Sequence, residues 1–211
     1  MAIGDMTDGE LDEATRLERL WAGEFGTTYA DRNPVVADRR ARFWDDLLER
    51  HPIRSALEIG CGQGANLAPI ARRLDPADIW GVDVSTLAID RARRNAPGVN
   101  VVLSRARELP FADSFVDLTF TVGTLIHQPE ESLPIVIDEI VRCSRRFVMW
   151  AEYHAAATEE VPYRGIRGSL FRRDYAAIYA ASHPELAVVE SGFLDEGAGF
   201  DRVTWQLLEK G

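Results

Sequence analysis

Cysteine, lysine and long apolar runs are all scarce in this chain. Two cysteines occur in 211 residues, Cys61 and Cys143, too few for a disulfide framework and suited to a reducing cytoplasm. No apolar run approaches the roughly 20 residues of a membrane-spanning helix. The opening residues, Met1-Ala2-Ile3-Gly4-Asp5, show no basic stretch followed by an apolar one, so no secretory leader is expected. Positive charge is in deficit: 24 Lys and Arg face 34 Asp and Glu, a net charge of −10. That balance counts against a duplex-coating nucleic-acid binder and against docking on an anionic membrane. Lysine occurs once, at Lys210, a skew that reads as codon usage rather than as a site. What is present suits a packed domain, with 46% apolar and 27% charged residues.

The spacing predicts two helices first. Leu11, Ala14, Leu17, Leu20 and Trp21 recur at helical intervals until Gly23-Glu24-Phe25-Gly26, where the two glycines are expected to break the pattern. A second helix is expected from near Pro34, with an apolar face of Val35, Val36, Ala41, Phe43, Trp44, Leu47 and Leu48, closing at His51-Pro52. Then strands and helices alternate. Strands are expected at 55–59, 79–82, 100–103, 115–122 and 147–151, with helices at 66–74, 87–94 and 133–143. Ser85 suits the N-cap of the middle helix. Such alternation means a parallel sheet covered on both faces. Residues 155–172 are polar, a short helix is expected over 173–181, and 186–189 with 203–208 read as a closing antiparallel pair. The plan is one domain: a helical cap (1–52), a Rossmann-like core (53–154), an insert (155–185) and a hairpin (186–211).

Gly60-x-Gly62-x-Gly64 stands where the first strand turns into a helix. Glycines there let backbone approach a ligand that a Cβ would meet. By itself the pattern also fits a dinucleotide loop, since Gly60, Gly62 and Ala65 satisfy G-x-G-x-x-A. Two carboxylates narrow it. Asp83 ends the second strand, where it can accept from a ribose diol. Glu58 lies in the first strand, where a carboxylate is costly unless partnered and where dinucleotide folds usually carry an apolar residue. Cys61 reads as a small spacer between glycines rather than a reactive thiol.

Glu58-Ile-Gly-Cys-Gly-Gln-Gly64, Gly81-Val-Asp83-Val-Ser85 and Arg107-Glu-Leu-Pro-Phe111 with Phe115-Val-Asp117-Leu resemble the motifs of class I S-adenosylmethionine (SAM)-dependent methyltransferases. The resemblance implies a mostly parallel, doubly wound, seven-stranded sheet in the order 3-2-1-4-5-7-6. It implies SAM as cofactor, its ribose held by Asp83 and its adenine read by backbone near Ala106 and Arg107. Its methionine tail would lie over the Gly60–Gly64 loop. The implied cofactor site also takes in Trp21, Glu58, Gly60, Cys61, Gly62, Gly64, Asn66, Val84, Thr121 and Val122. Arg105 stands where the family often has an acid. Trp21-Ala-Gly-Glu-Phe-Gly26, Tyr29, Arg32-Asn33, Thr124-Leu-Ile-His127, Ala151-Glu-Tyr153, Val161-Pro-Tyr-Arg-Gly165, Leu170-Phe-Arg-Arg-Asp174 and Gly192-Phe-Leu194 look like the small methylases associated with pseudaminic-acid operons.

Ligands of open α/β sheets lie at the carboxyl ends of the strands. His127 and Glu152 fall there and are candidate bases, each with a structural alternative. Tyr29, Tyr153, Tyr163, Arg164 and Arg172 are candidates for the acceptor, since a guanidinium fork suits a carboxylate or phosphate. Arg32 is read either as a cation over the SAM carboxylate or as a solvated helix residue. No metal is expected. The reading is methyl transfer to a small anionic metabolite by a cytoplasmic monomer or homodimer, with no nucleic-acid or membrane partner. The alternatives are a nicotinamide oxidoreductase and a non-catalytic SAM-binding partner.

Overall fold

The computed structural model describes residues 12–33, 35 and 37–211; Leu11, Pro34 and Val36, placed above in the cap helices, lie outside them. The cap is three helices: α1 (Glu13–Ala22), α2 (Glu24–Arg32) and α3 (Ala37–Arg50). The Asp12 side chain caps α1, accepting from Thr15 N at 2.7 Å. Gly23 separates α1 from α2, as expected, but Gly26 lies inside α2. A Cβ on Gly26 would fall 1.8 Å from the Trp21 carbonyl oxygen. Gly26 is therefore a packing glycine where two helices cross, not a breaker.

The core follows as β1 (Ala56–Ile59), α4 (Leu67–Ile70), β2 (Ile79–Asp83), α5 (Thr86–Asn95), β3 (Asn100–Leu103), β4 (Val116–Val122), α6 (Leu133–Cys143) and β5 (Ser144–Glu152). Ser85 caps α5, its Oγ accepting from Ala88 N at 3.3 Å. The helix expected over 66–74 is only four residues of α-helix, and looser turns carry the chain to Leu74. The insert forms two short strands, β6 (Glu159–Glu160) and β7 (Phe171–Arg172), before α7 (Tyr175–Ser182). The chain closes with β8 (Leu186–Leu194) and β9 (Val203–Lys210).

Seven strands make the main sheet in the order β3-β2-β1-β4-β5-β9-β8, and β6 pairs with β7 apart from it. The expected order 3-2-1-4-5-7-6 therefore differs in detail: the small hairpin of the insert comes first, so the closing pair is the eighth and ninth strands. The pairs from β3 to β5 are parallel, while β9 runs antiparallel to both β5 and β8. β8 also runs five residues beyond the expected 186–189, because it pairs with β9 along its whole length.

Two apolar layers sandwich the sheet. One packs Trp44 and Leu47 of α3, Leu67 and Ile70, and Ile89 and Ala92 of α5 against Phe120, Met149 and Trp205. The other packs Val136, Ile137 and Ile140 of α6 and Tyr175 and Tyr179 of α7 against Leu57, Ile59, Val148 and Trp150. With both faces covered, the ends of β1, β2 and β4 are where the chain opens a cavity, the general rule for such sheets.

Candidate active site

The loop after β1 is shaped by its glycines. Gly60 has φ +73°, and a Cβ there would lie 2.3 Å from Thr124 Oγ1. The loop is pinned to the end of β2: Gly60 N and Cys61 N both donate to the Val82 carbonyl at 2.9 Å. Asp83 completes the clasp, its Oδ2 accepting from Gly62 N at 2.9 Å and its Oδ1 from Ser85 N at 2.8 Å. Burial pushes the Asp83 carboxyl up, and the backbone donors draw it back. Gly64 does not face the cavity; it is buried, and its missing side chain makes room for Ala92 of α5.

Glu58 is buried, and its Oε1 accepts from Asn66 Nδ2 at 2.5 Å. The Asn66 amide oxygen accepts in turn from Arg40 Nη1 at 2.9 Å and Trp44 Nε1 at 3.2 Å. Glu58 Oε2 has no partner among the described residues. Burial pushes Glu58 up to about 8, so at neutral pH it is mostly the acid. A cation arriving beside it favours the carboxylate. SAM carries an ammonium, so its binding at pH 7 should release a proton, seen as a calorimetric heat that changes with the buffer's ionisation enthalpy. Glu58→Gln should bind with no buffer dependence. Equal proton release by both proteins would show that Glu58 is not the group that senses the ligand.

Arg40, Glu58, Gly60, Gly62, Asn66 and Asp83 line a cavity of about 540 Å³ together with Cys61, Val84, Ala106 and Val122. The donor set fits SAM: a carboxylate at the end of β2, a glycine cradle, and an unsatisfied acid beside it. Burial raises the Cys61 thiol well above its ordinary value, so it is an inert spacer. Thr121 is buried inside β4 and does not reach the cavity. The Arg107 side chain turns away as well, its Nη2 donating to Thr15 Oγ1 at 2.7 Å and its Nε pairing with Glu18 at 3.0 Å. Arg105 pairs with the same Glu18 at 3.2 Å. Both arginines of this loop thus tie down α1.

The cap closes the other side. Trp21, Tyr29 and Arg32 face the cavity. Gln63 of the glycine loop holds the end of α2, donating to the carbonyls of Ala30 at 3.0 Å and Asn33 at 2.9 Å. Around Trp21 the rings of Phe25, Tyr29 and His127 lie at 5.2, 5.3 and 4.5 Å, with Tyr163 at 6.5 Å. His127 Nδ1 lies 2.5 Å from the Ser169 carbonyl oxygen. A carbonyl only accepts, so Nδ1 carries the proton and Nε2 keeps its lone pair. Burial lowers His127 to about 4.

Glu152, expected as a second base, does not line the cavity. It is fully buried and accepts from three backbone amides of the loop after β4. Arg172 is exposed in β7 with no face on the cavity. Tyr153, Tyr163 and Arg164 lie just outside the wall. Burial raises Tyr29, with the neighbouring Tyr163 and Asp201 adding to it while Arg40 and Arg164 oppose. Tyr153 is raised by burial, then by Asp201 and Tyr163. Tyr29 and Asp201 thus line the cavity, while Tyr153, Tyr163 and Arg164 lie near them outside its wall. Arg164 is exposed, sits at φ +51°, and makes no ion pair among the described residues.

Two residues escaped sequence reasoning. Arg40 lines the cavity and also holds the Gly199 carbonyl at 2.9 Å. Its signal was an arginine in the apolar stripe of α3, one turn before Trp44. Asp201 also lines the cavity. Its loop is clamped by Arg40 and by Gly199, where a Cβ would lie 2.6 Å from Arg39 Cβ. Nothing in the sequence separates it from other turn aspartates. Among the described residues no His/Cys/Asp/Glu group could hold a metal, and no helix is long and apolar enough to cross a membrane.

Residues 56–146 match the family model for a methyltransferase domain. Malonyl-[acyl-carrier protein] O-methyltransferase of Halorhodospira halophila is 29% identical over 79% of this chain and 59% of its own length. The chain spans about a third to three-fifths of the first curated relatives it matches, 32%, 59% and 34% of their lengths. Among solved structures, the 1,6-didemethyltoxoflavin-N1-methyltransferase of Burkholderia thailandensis with bound S-adenosylhomocysteine (SAH) aligns with TM-score 0.73 at 18% identity, covering 97% of this chain and 93% of that one. Magnesium protoporphyrin IX methyltransferase of Synechocystis with bound SAM aligns with TM-score 0.70 at 14% identity, over 97% and 100% of the two chains. At these identities the structural likeness speaks for the fold, and the family model speaks for the domain. Over residues 56–146, then, this chain is similar to a methyltransferase domain, and its fold is shared with methyltransferases solved with SAM or SAH bound.

Proposed function

We propose that this protein transfers the methyl group of SAM to a small anionic metabolite, on the pattern of the methylases of pseudaminic-acid operons. The observation that carries the proposal is the division of one cavity into two ends. The Asp83 clasp, the glycine loop and Glu58 suit the nucleoside and amino-acid parts of SAM. At the other end Tyr29 and Asp201 line the wall, with Tyr153, Tyr163 and Arg164 near them outside it, and none of the five side chains makes a hydrogen bond among the described residues.

SAM supplies an electrophilic methyl carbon on a sulfonium sulfur, displaced in line with neutral thioether as leaving group. The chain's task is to position the acceptor about 3 Å from that carbon and keep water out. The Trp21 and Tyr29 rings of the cap provide the dry wall, with Phe25 packed edge-on against Trp21. Where the acceptor loses a proton, His127 Nε2 receives it. The Arg164 fork binds the acid, and the phenols donate to it. The name of the Halorhodospira relative, an O-methyltransferase of a malonyl group, is in keeping with an acidic acceptor. We place the reaction in the cytoplasm, without nucleic-acid or membrane partners.

Release of SAH from SAM across a panel of small carboxylates and sugar phosphates tests the activity. Arg164→Lys keeps the charge and loses the fork, so acceptor KM should rise about tenfold or more while SAM affinity stays put. Unchanged acceptor kinetics in both Arg164→Lys and Arg164→Ala would remove the support for an anionic acceptor.

A further inference from the structure

We propose that Glu152 is a positioning residue: its carboxylate holds the turn after β4 in the conformation that presents His127 to the acceptor. The inference rests on the reading of His127 given above and deepens it.

The geometry is unusual for a carboxylate at the ligand end of a sheet. Glu152 is the last residue of β5, next to β4, and it is 0% exposed. Its side chain turns from the cavity into the neighbouring turn. Oε1 accepts from Thr124 N and Leu125 N, both at 3.1 Å, and Oε2 accepts from Ile126 N at 3.2 Å. These three consecutive amides open the single 3-10 turn Leu125–His127. Such amides have no partners within their own turn. On the carbonyl side, Arg173 Nη1 reaches Leu125 O at 3.5 Å.

Each end of this turn does something for the site. Thr124 fills the space that Gly60 leaves by having no Cβ, which locks the turn to the glycine loop. His127, at the far end, is set between Trp21 and the Ser169 carbonyl. A shift of the turn would break both contacts together. The Thr121 hydroxyl and the Tyr153, Tyr175 and Tyr179 phenols face Glu152, and Arg173 stands beside Tyr175. The hydroxyls of Tyr175 and Tyr179 and Nη2 of Arg173 have no hydrogen-bond partner among the described residues. The three amides are the carboxylate's hydrogen-bond donors at 3.1–3.2 Å, with the Thr121 hydroxyl beside them.

A carboxylate suits this arrangement because both oxygens accept and neither donates. Gln has the same shape but turns an NH2 group toward at least one of the amides, so Glu152→Gln replaces an attraction with a donor–donor clash.

The test is NMR of the SAH-saturated protein. The wild-type protein should show the amides of Thr124, Leu125 and Ile126 titrating together with one midpoint between pH 4 and 9, as the group they share takes up a proton. Histidine labelled with 15N gives a second readout, with His127→Asn identifying the His127 signal among the four histidines. In the wild type that ring should stay neutral and Nδ1-protonated down to pH 5. In Glu152→Gln it should titrate close to the ordinary value near 6.5, and SAH affinity should fall about tenfold. If the three amides do not share a titration in the wild type, or if His127 keeps its signature in a folded Glu152→Gln protein, the proposal is overturned. Failure of the wild-type protein to bind SAH would instead count against the cofactor reading, and the amide titration would still be readable.

Discussion

Asp83→Ala should weaken SAH binding by about ten- to several-hundredfold, a loss of one to a few kcal/mol. The expected effect is large because the carboxylate has two tasks. It is the hydrogen-bond acceptor available to a ribose at the end of β2. It also holds the glycine loop and the start of α5 through Gly62 N and Ser85 N. Removing it takes away a ligand contact and leaves two backbone donors without their partner. Asp83→Asn retains one acceptor oxygen and should fall between wild type and Asp83→Ala. Calorimetry is the direct measurement, and unchanged affinity in Asp83→Ala would dissociate Asp83 from the cofactor.

His127→Gln should slow methyl transfer to a proton-bearing acceptor by about 100-fold, with SAH affinity unchanged. The argument is the fixed tautomer. The Ser169 carbonyl accepts a hydrogen bond from Nδ1–H and so keeps the proton on Nδ1, leaving Nε2 an acceptor over the working pH range. His127 is lowered to about 4 by burial, so the group's contribution to activity should hold as pH falls from 8 to 5 and decline only toward 4. An exposed histidine would lose it near 6.5. Stability follows the same sign. A folded-state value below the unfolded one gives stabilisation that is full above about 6.5 and is lost as pH falls through about 4. His127→Gln should therefore show a flatter stability profile between those limits. A rate loss below about threefold in His127→Gln would make the imidazole a packing residue.

The legibility of this molecule in its sequence varied with the kind of constraint. The parallel core was readable because strand and helix periods alternate cleanly, and α6 and β3 begin and end where the apolar pattern does. Gly60, Gly62 and Asp83 were readable because close backbone approach and a carboxylate at a strand end are chemical requirements with fixed spacing. Gly26 was misread because its reason is the Trp21 carbonyl, a contact between two helices that local propensity does not register. Position alone made Glu152 look like a base: a strand-end residue points toward the ligand edge, but its rotamer is set by amides of the adjacent turn. The side chain of Arg107 was not readable, since its motif marks the loop while the guanidinium answers to Glu18 in the cap. Arg40 was recoverable from its place in an apolar stripe. Asp201 was not, because its role comes from a loop clamped by Arg40 more than 150 residues away in sequence.

The account turns on the cavity being a SAM site rather than a dinucleotide site. Titration calorimetry of the purified protein with SAH and, separately, with NAD is the most direct measurement. The account predicts saturable one-to-one binding of SAH and no heat from NAD. Binding of NAD with no response to SAH would contradict it.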